Sequence, residues 1–436
     1  MNSKTTTSLG SALGASWALL LGFGILMLGD GLQSTLLAVR ADQEGFSATT
    51  TGLIMSSFYL GFLSGSILTP KIMVKVGHIR VFAALAALAS ASVLVHAVFI
   101  EISVWISLRL VSGFCFAGLY VVAESWLNDR ATNESRGKLL SLYMVATYLG
   151  IGVGQLFLNL ADPGDYPLFI LTSVLISIAV VPLLLSASNS PGFSESVNIK
   201  LKELYKLSPL GVVSMFIEGL VTATFFALGP LYGQRLGMSL QEISYFMAVA
   251  VLGVIIFQWP IGALSDKFDR RLMLTIVSFL TTAAAYVCIF AAEESTMMLF
   301  IAVGIFAGLS LPLYSVCIAH TNDNLEPRQM IAASGALVLV GGIGAITGPI
   351  LVASLMDLFG NNAFFWFMGG AHGITGLFAL YRMTRRASKP LDKQGSVTPT
   401  SLHPSSAVIE SMQQYAVDES EDDLTDDNTG TDQKGS

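Results

Sequence analysis

The chain has 436 residues, 53% of them hydrophobic and only 12% charged, and its mean hydropathy is +0.67. A soluble globule carries roughly 25% charged residues, so this composition describes a membrane protein and excludes an ordinary soluble fold. The net charge of −7 is misleading: from Thr384 onward ten acidic residues stand against five basic ones, leaving twenty acidic and eighteen basic before it, with no basic patch to hold nucleic acid.

Runs of about 20 apolar residues are long enough to cross a bilayer core as helices. They recur near 15–39, 50–70, 80–100, 103–124, 139–161, 166–186, 209–232, 243–264, 272–292, 297–319, 331–356 and 363–383. This predicts an all-α integral membrane protein with twelve transmembrane helices (spans 1 to 12). The first run follows only Lys4 and exceeds a signal-peptide core, so it is read as a retained span behind a short segment, 1–14. A linker, 187–208, separates spans 6 and 7; it holds Pro191 and Gly192, then an amphipathic stretch with Lys200, Lys202 and Lys206. Residues 384–436 lack apolar periodicity and are expected to form a disordered acidic tail.

Charges between the spans divide unevenly. Lys4, Lys71, Lys75, Arg80, Arg130, Arg136, Lys138, the linker lysines, Lys267, Arg270, Arg271, Arg328 and the basic residues from Arg382 to Lys393 fall on one side. The other keeps Arg40 and Arg235, among acids such as Asp42, Glu44, Glu101 and Glu293. The positive-inside rule then places both termini in the cytoplasm.

The chain also repeats itself. Gly45-Phe46-Ser47 after span 1 matches Gly237-Met238-Ser239 after span 7, and Gly61 matches Gly253 at the same offset. Asn128-Asp129 matches Asn322-Asp323, Tyr120 meets Tyr314, and the Gly150–Gly154 pair of span 5 meets Gly344–Gly348 of span 11. Two six-helix bundles, 15–186 and 209–383, follow from that register, and their glycine pairs are read as close helix contacts. A parallel six-plus-six repeat is the architecture of major facilitator transporters, which place their site between the halves.

The loop after span 8 carries that resemblance further. Gly262-Ala-Leu-Ser-Asp266-Lys267-Phe-Asp269-Arg270-Arg271 resembles the loop signature of the major facilitator superfamily. The expected mechanics are a close helix approach at Gly262, Asp266 at a helix N-terminus, and Lys267 paired with an acid, together latching the cytoplasmic face. Ordinary positive-inside anchoring is the alternative. The first-half copy is degraded, with Pro70 and Val74 replacing the glycine and the acid; Lys75 survives, and Glu124 is its expected partner. Arg109-Leu-Val-Ser-Gly113 resembles the family's intramembrane arginine. Span 11 ends its glycine pair with Pro349, as the family's antiporters do in span 5, but span 5 here has Gln155. The segment Glu124-Ser-Trp126-Leu-Asn128-Asp129 and the entry to span 7, Leu207 to Gly211, are most similar to the YcaD-type bacterial subfamily.

Three charges stand alone inside apolar runs: Asp30, Arg109 and Glu218. A charge at bilayer depth costs at least about 2.5–3.5 kcal/mol, so such residues face a bundle interior or a wet cavity. The resemblance implies that spans 1, 4, 7 and 10 line the cavity, and three of the four carry these charges or their neighbours Gln33, Ser34 and Thr222. Asp30 and Glu218 are expected to carry protons or contact a cation, with Arg109 as the switch; a static Asp30–Arg109 pair is the alternative. Tyr120 and Tyr314 are candidates to stack on a solute, though helix packing is the commoner role. His372 in span 12 is read as a hydrogen-bonded structural histidine, and Cys115, Cys288 and Cys317 as packing residues.

No nucleotide motif, metal-ligand spacing or nucleophile–base constellation occurs, so no cofactor, no metal and no enzymatic activity are expected. The reading is a monomeric, proton-coupled secondary transporter whose partners are a small organic solute, protons and the bilayer. Efflux is favoured because an acid in span 1 with an arginine in span 4 resembles the family's multidrug antiporters. Uptake symport, or a non-transporting sensor of the same fold, are the alternatives.

Overall fold

The computed structural model describes residues 9–130, 133–185, 201–325 and 327–385, together with Gln394, Gly395 and Val397. Linker residues 187–200, most of the 384–436 tail and the orienting Lys4, Arg386, Lys389 and Lys393 lie outside the described residues. Twelve described helices are long and apolar enough to cross a membrane: Trp17–Gln43, Ala48–Val76, His78–Val98, Ile102–Leu127, Lys138–Leu160, Pro167–Leu185, Pro209–Arg235, Leu240–Lys267, Arg270–Glu294, Thr296–Asn322, Gly335–Phe359 and Ala363–Arg385. They form two pseudo-symmetric six-helix bundles. In the linker, Leu201–Leu207 forms a short helix that buries Leu204 and leaves Lys202 exposed.

The repeated Gly-x-Ser elements are turn-and-cap units. Gly45 and Gly237 take φ of 77° and 79°, a left-handed conformation that suits glycine, and so end spans 1 and 7. Two residues on, Ser47 accepts a hydrogen bond from Thr50 N and Ser239 from Glu242 N, capping spans 2 and 8. Most helices run a few residues past their apolar stretches, because such caps and turns fix their ends rather than hydropathy.

Packing carries the same register. A Cβ on Gly154 would lie 2.3 Å from Leu28 O, and one on Gly348 2.4 Å from Leu220 O. Gly150 meets Gly24 O at 2.8 Å and Gly344 meets Phe216 O at 2.1 Å by the same construction. Span 5 thus lies on span 1 as span 11 lies on span 7, backbone against backbone, as the paired glycines predict.

Two spans depart from the uninterrupted helices expected. Span 6 is broken at Ala179–Val180, just before Pro182, and span 10 stops at Ser310 and restarts at Leu313. Pro312 has no N–H to return to the preceding turn, a local constraint that hydropathy alone does not register. Across the seam between bundles, span 2 packs on span 11, span 5 on span 8 and span 1 on span 7.

Gly344→Ala should be destabilising, by about 1–3 kcal/mol, since its methyl would press into the span 7 backbone. Gly370→Ala, which meets nothing within 4 Å, should leave the thermal midpoint in detergent unchanged. Equal midpoints for the two variants would contradict the packing argument.

Candidate functional site

Asp30 and Arg109 line one cavity of about 30 Å³, together with Ser34, Met55, Phe58, Tyr59, Ile151, Phe226 and Ala227. Span 7 supplies the last two, so the cavity lies at the seam between the halves. Its volume admits one or two waters. Among the described residues no ion pair within 4 Å joins Asp30 to Arg109, although each feels the other's charge. Arg109 is 5% exposed and stacks its guanidinium 4.3 Å from the centre of the Phe58 ring, a cation–π contact that holds it in place. The direct static pair is therefore not formed in this conformation. Ser34, one turn past Asp30, faces the cavity; Gln33 is buried outside its lining, with both side-chain amide atoms unpartnered.

A second cavity lies deeper toward the basic loops. Tyr59, Phe62, Leu63, Thr222, Ala223 and Tyr314 line it with Gly219, Gly341 and Gly342. Tyr59 borders both cavities and donates from its hydroxyl to Ala223 O across the seam at 3.3 Å, so it divides the charged space from the apolar one. Thr222 and Tyr314 thus occupy the central space expected of them. Tyr120 does not: it is buried in the first bundle, donates to Met27 Sδ at 3.0 Å and meets Phe23 edge-on at 5.1 Å. Glu218 also lies outside this lining, fully buried behind it, with His372 of span 12 3.6 Å away. All three cysteines are buried and unpaired.

The basic end is built differently from its sequence expectation. Arg270 is the buried member of the loop signature, 2% exposed; it pairs with Asp323 and with Asp266 and donates to Ala319 O. Asp266 is not at a helix N-terminus; it accepts from Arg270 and from Val397 N at 2.8 Å. Asp269 takes the N-cap of span 9 instead, accepting from Arg271 N and from the Arg271 side chain at 2.7 Å. Burial pulls the Asp269 carboxyl upward, but the hydrogen bonds from Arg271 outweigh this and hold it below its usual range. Lys267 and Lys75 are exposed and form no ion pair with a described residue, so the expected Lys75–Glu124 pair is absent. Glu124 is 1% exposed and accepts from Tyr143 Oη at 2.9 Å. Gly262 makes no close helix contact; its nearest neighbour for an added methyl is Val397 at 3.7 Å. Gly395 and Val397 of the expected disordered tail therefore rest on this charge cluster, Gly395 O accepting from Arg270.

The acid–dipole contact expected at the basic end occurs at the opposite one. Asp357 near the end of span 11 accepts from Thr49 N at 2.9 Å and Thr49 Oγ1 at 2.8 Å, at the N-terminus of span 2, and pairs with Arg235 at 3.0 Å. At the same end, Asn159 donates to Ser244 Oγ at 2.7 Å, from span 5 to span 8. Sequence reasoning missed Asp357 and Thr49; an acid just past the end of one apolar run and a threonine just before the start of another were the available signal.

Twelve spans in two matched bundles, with buried charges at their seam, define a membrane transporter. The sequence profile of the Major Facilitator Superfamily matches residues 19–258 and 210–413, and the chain belongs to that family. It is similar to the YcaD type: the MFS-type transporter YcaD of Escherichia coli O139:H28 (strain E24377A / ETEC) is 29% identical over 379 residues, covering 86% of this chain and 97% of that one. YcaD of Shigella sonnei (strain Ss046) matches to the same extent. Among solved structures, the nucleoside transporter NupG superposes with a TM-score of 0.74 at 12% identity, over 85% of this chain and all (100%) of that one. A bacterial homologue of the human lysosomal transporter Spinster, in an inward-facing and unoccupied conformation, gives 0.66 at 16% identity over 93% and 94% of the two chains. These likenesses establish the fold; family members transport small molecules and are not enzymes.

Asp357→Asn should loosen the end it bridges. The contacts are partly exposed, so about 1 kcal/mol, or roughly a five-fold population shift, is expected. Spin labels at Thr50 and Leu358, read by double electron–electron resonance, should report a longer-distance population in the variant. An unchanged distance distribution would show that Asp357 does not hold span 2 and span 11 together.

Proposed function

We propose that the protein is a proton-linked secondary transporter of a small organic solute in a bacterial-type cytoplasmic membrane. The basic end and both termini face the cytoplasm, and two rigid halves rock about the central cavity. The observation that carries this reading is the placement of Asp30 and Arg109 of the first half on one cavity whose far wall is span 7 of the second, where relative movement of the halves alters the water and access the two charges share. A proton on Asp30 cancels its pull on Arg109, and loss of that proton restores it. Protonation and the shape of the seam are then linked, and Tyr59 stands between this pair and the solute space.

The lining of the central cavity supports a solute with apolar or aromatic surface and few polar groups, held by Tyr314, Phe62 and Thr222. Asp357, Thr49 and Arg235 are the outer gate in this scheme; Arg270, Asp266, Asp269, Arg271 and Asp323 stiffen the cytoplasmic end of the second half. Efflux is the favoured direction, as for an acid in span 1 facing an arginine in span 4. Uptake symport is the second reading, favoured by Gln155, which takes the place of an antiporter proline and accepts from Thr35 of span 1.

Metabolite profiling of a deletion strain identifies the solute, and proteoliposomes then test the coupling. Asp30→Asn should lose gradient-driven accumulation at least tenfold while solute exchange at equal pH survives, a ratio of roughly 1.4 kcal/mol or more. Full pH-driven accumulation by Asp30→Asn would end the coupling argument.

A further inference from the structure

The second half holds a polar site with no counterpart in the first. Glu218 of span 7 and His372 of span 12 are both fully buried, with Glu218 Oε1 3.6 Å from His372 Nδ1. Neither oxygen of Glu218 has a hydrogen-bond partner, and neither does His372 Nδ1. The other ring nitrogen, Nε2, lies 2.8 Å from Ser310 Oγ. Ser310 is the last residue of the first segment of span 10, where the helix stops before Leu311 and Pro312 and restarts at Leu313. By the register that relates the halves, Glu218 corresponds to Leu26 and Ser310 to Phe116, so the repeat did not place these groups. Interrupted helices beside buried ionisable side chains are where membrane carriers hold coupling ions.

A carboxylate sealed from water without a donor is costly, and so is a lone imidazolium. At this separation one proton between the two groups leaves the site neutral in either arrangement: protonated Glu218 with a neutral imidazole, or a carboxylate paired with imidazolium. Removing that proton strands an anion, and adding a second strands a cation. The other titratable groups near Glu218 among the described residues are Tyr314 and Cys317, an uncharged phenol and thiol from the second segment of span 10. Spans 1, 2, 8 and 11, which also pack on span 7, bring no described ionised side chain against the pair.

We propose that Glu218, His372 and Ser310 form a one-proton site at the break in span 10, loaded and unloaded as that break flexes. The site adjoins the solute space through Gly219, Thr222 and Tyr314, which line the central cavity on the same two elements. Its part in a transport cycle rests on the proton-linked reading above; proton binding itself does not.

Infrared difference spectra between acidic and alkaline buffer, on purified full-length protein in detergent, test this with the proton as probe. A carboxyl band should vanish in Glu218→Gln, shift in His372→Asn, and persist in Asp30→Asn. The imidazole band of His372 should vanish in His372→Asn and shift in Glu218→Gln, a mutual dependence that a merely structural histidine would not give. Nitrogen-15 spectra of the wild-type histidines provide a reading that needs no variant: the His372 signal should change with pH in step with the carboxyl band. A band indifferent to Glu218→Gln, a Glu218 band indifferent to His372→Asn, or a His372 signal constant with pH overturns the site. Failure of the coupling at Asp30 would show differently, as retained gradient-driven accumulation by Asp30→Asn with these bands unchanged.

Discussion

A guanidinium and a carboxylate carried into hydrocarbon must be given water or each other, and the seam between the bundles is where this chain places them, on one cavity with room for water. Arg109 is held over Phe58 and Asp30 opens on the same small cavity, with span 7 of the other half as its far wall. Because the cavity is formed by both halves, the hydration of its charges depends on how the halves sit together. Much of the remaining architecture serves that arrangement: glycine pairs lock span 5 to span 1 and span 11 to span 7, so each half packs as one body. Interdigitated backbones of this kind are bistable rather than continuously deformable, which suits a rocking carrier.

The two ends of the molecule use charge in different ways. At the end away from the basic loops, Asp357 reaches across the seam to the N-terminus of span 2. At the basic end, Arg270 gathers Asp323 and Asp266 within the second half and receives Gly395 from the tail. The first arrangement ties one half to the other; the second ties spans of one half and a piece of the tail together.

The twelve spans and the repeat were legible because both rest on signals a single sequence carries: runs of apolar residues, and glycines where backbones touch. Gly45 and Gly237 could be matched because a left-handed turn followed by a serine cap leaves a fixed residue pattern. The depth of Asp30 and Arg109 was legible for the same reason, since position along a helix sets height in the bilayer. What sequence did not register was azimuth and partner choice. Tyr120 and Tyr314 hold matching positions in the repeat, yet one packs in a bundle core and the other lines the central cavity. His372 is hydrogen-bonded to Ser310, as its reading as a structural histidine expects, but nothing in the sequence showed that Glu218 faces away from the cavity toward it. Asp266 and Asp269 sit three residues apart, and only the geometry of the turn decides which of them caps span 9.

Electron cryo-microscopy of the protein trapped in inward-open and outward-open states, at a resolution that shows ordered water, tests the central claim most directly. The account predicts water between the Asp30 carboxylate and the Arg109 guanidinium in one state, and altered hydration of the two in the other as the span 7 wall moves. A fixed, dry contact between the two side chains, identical in both states, would contradict it.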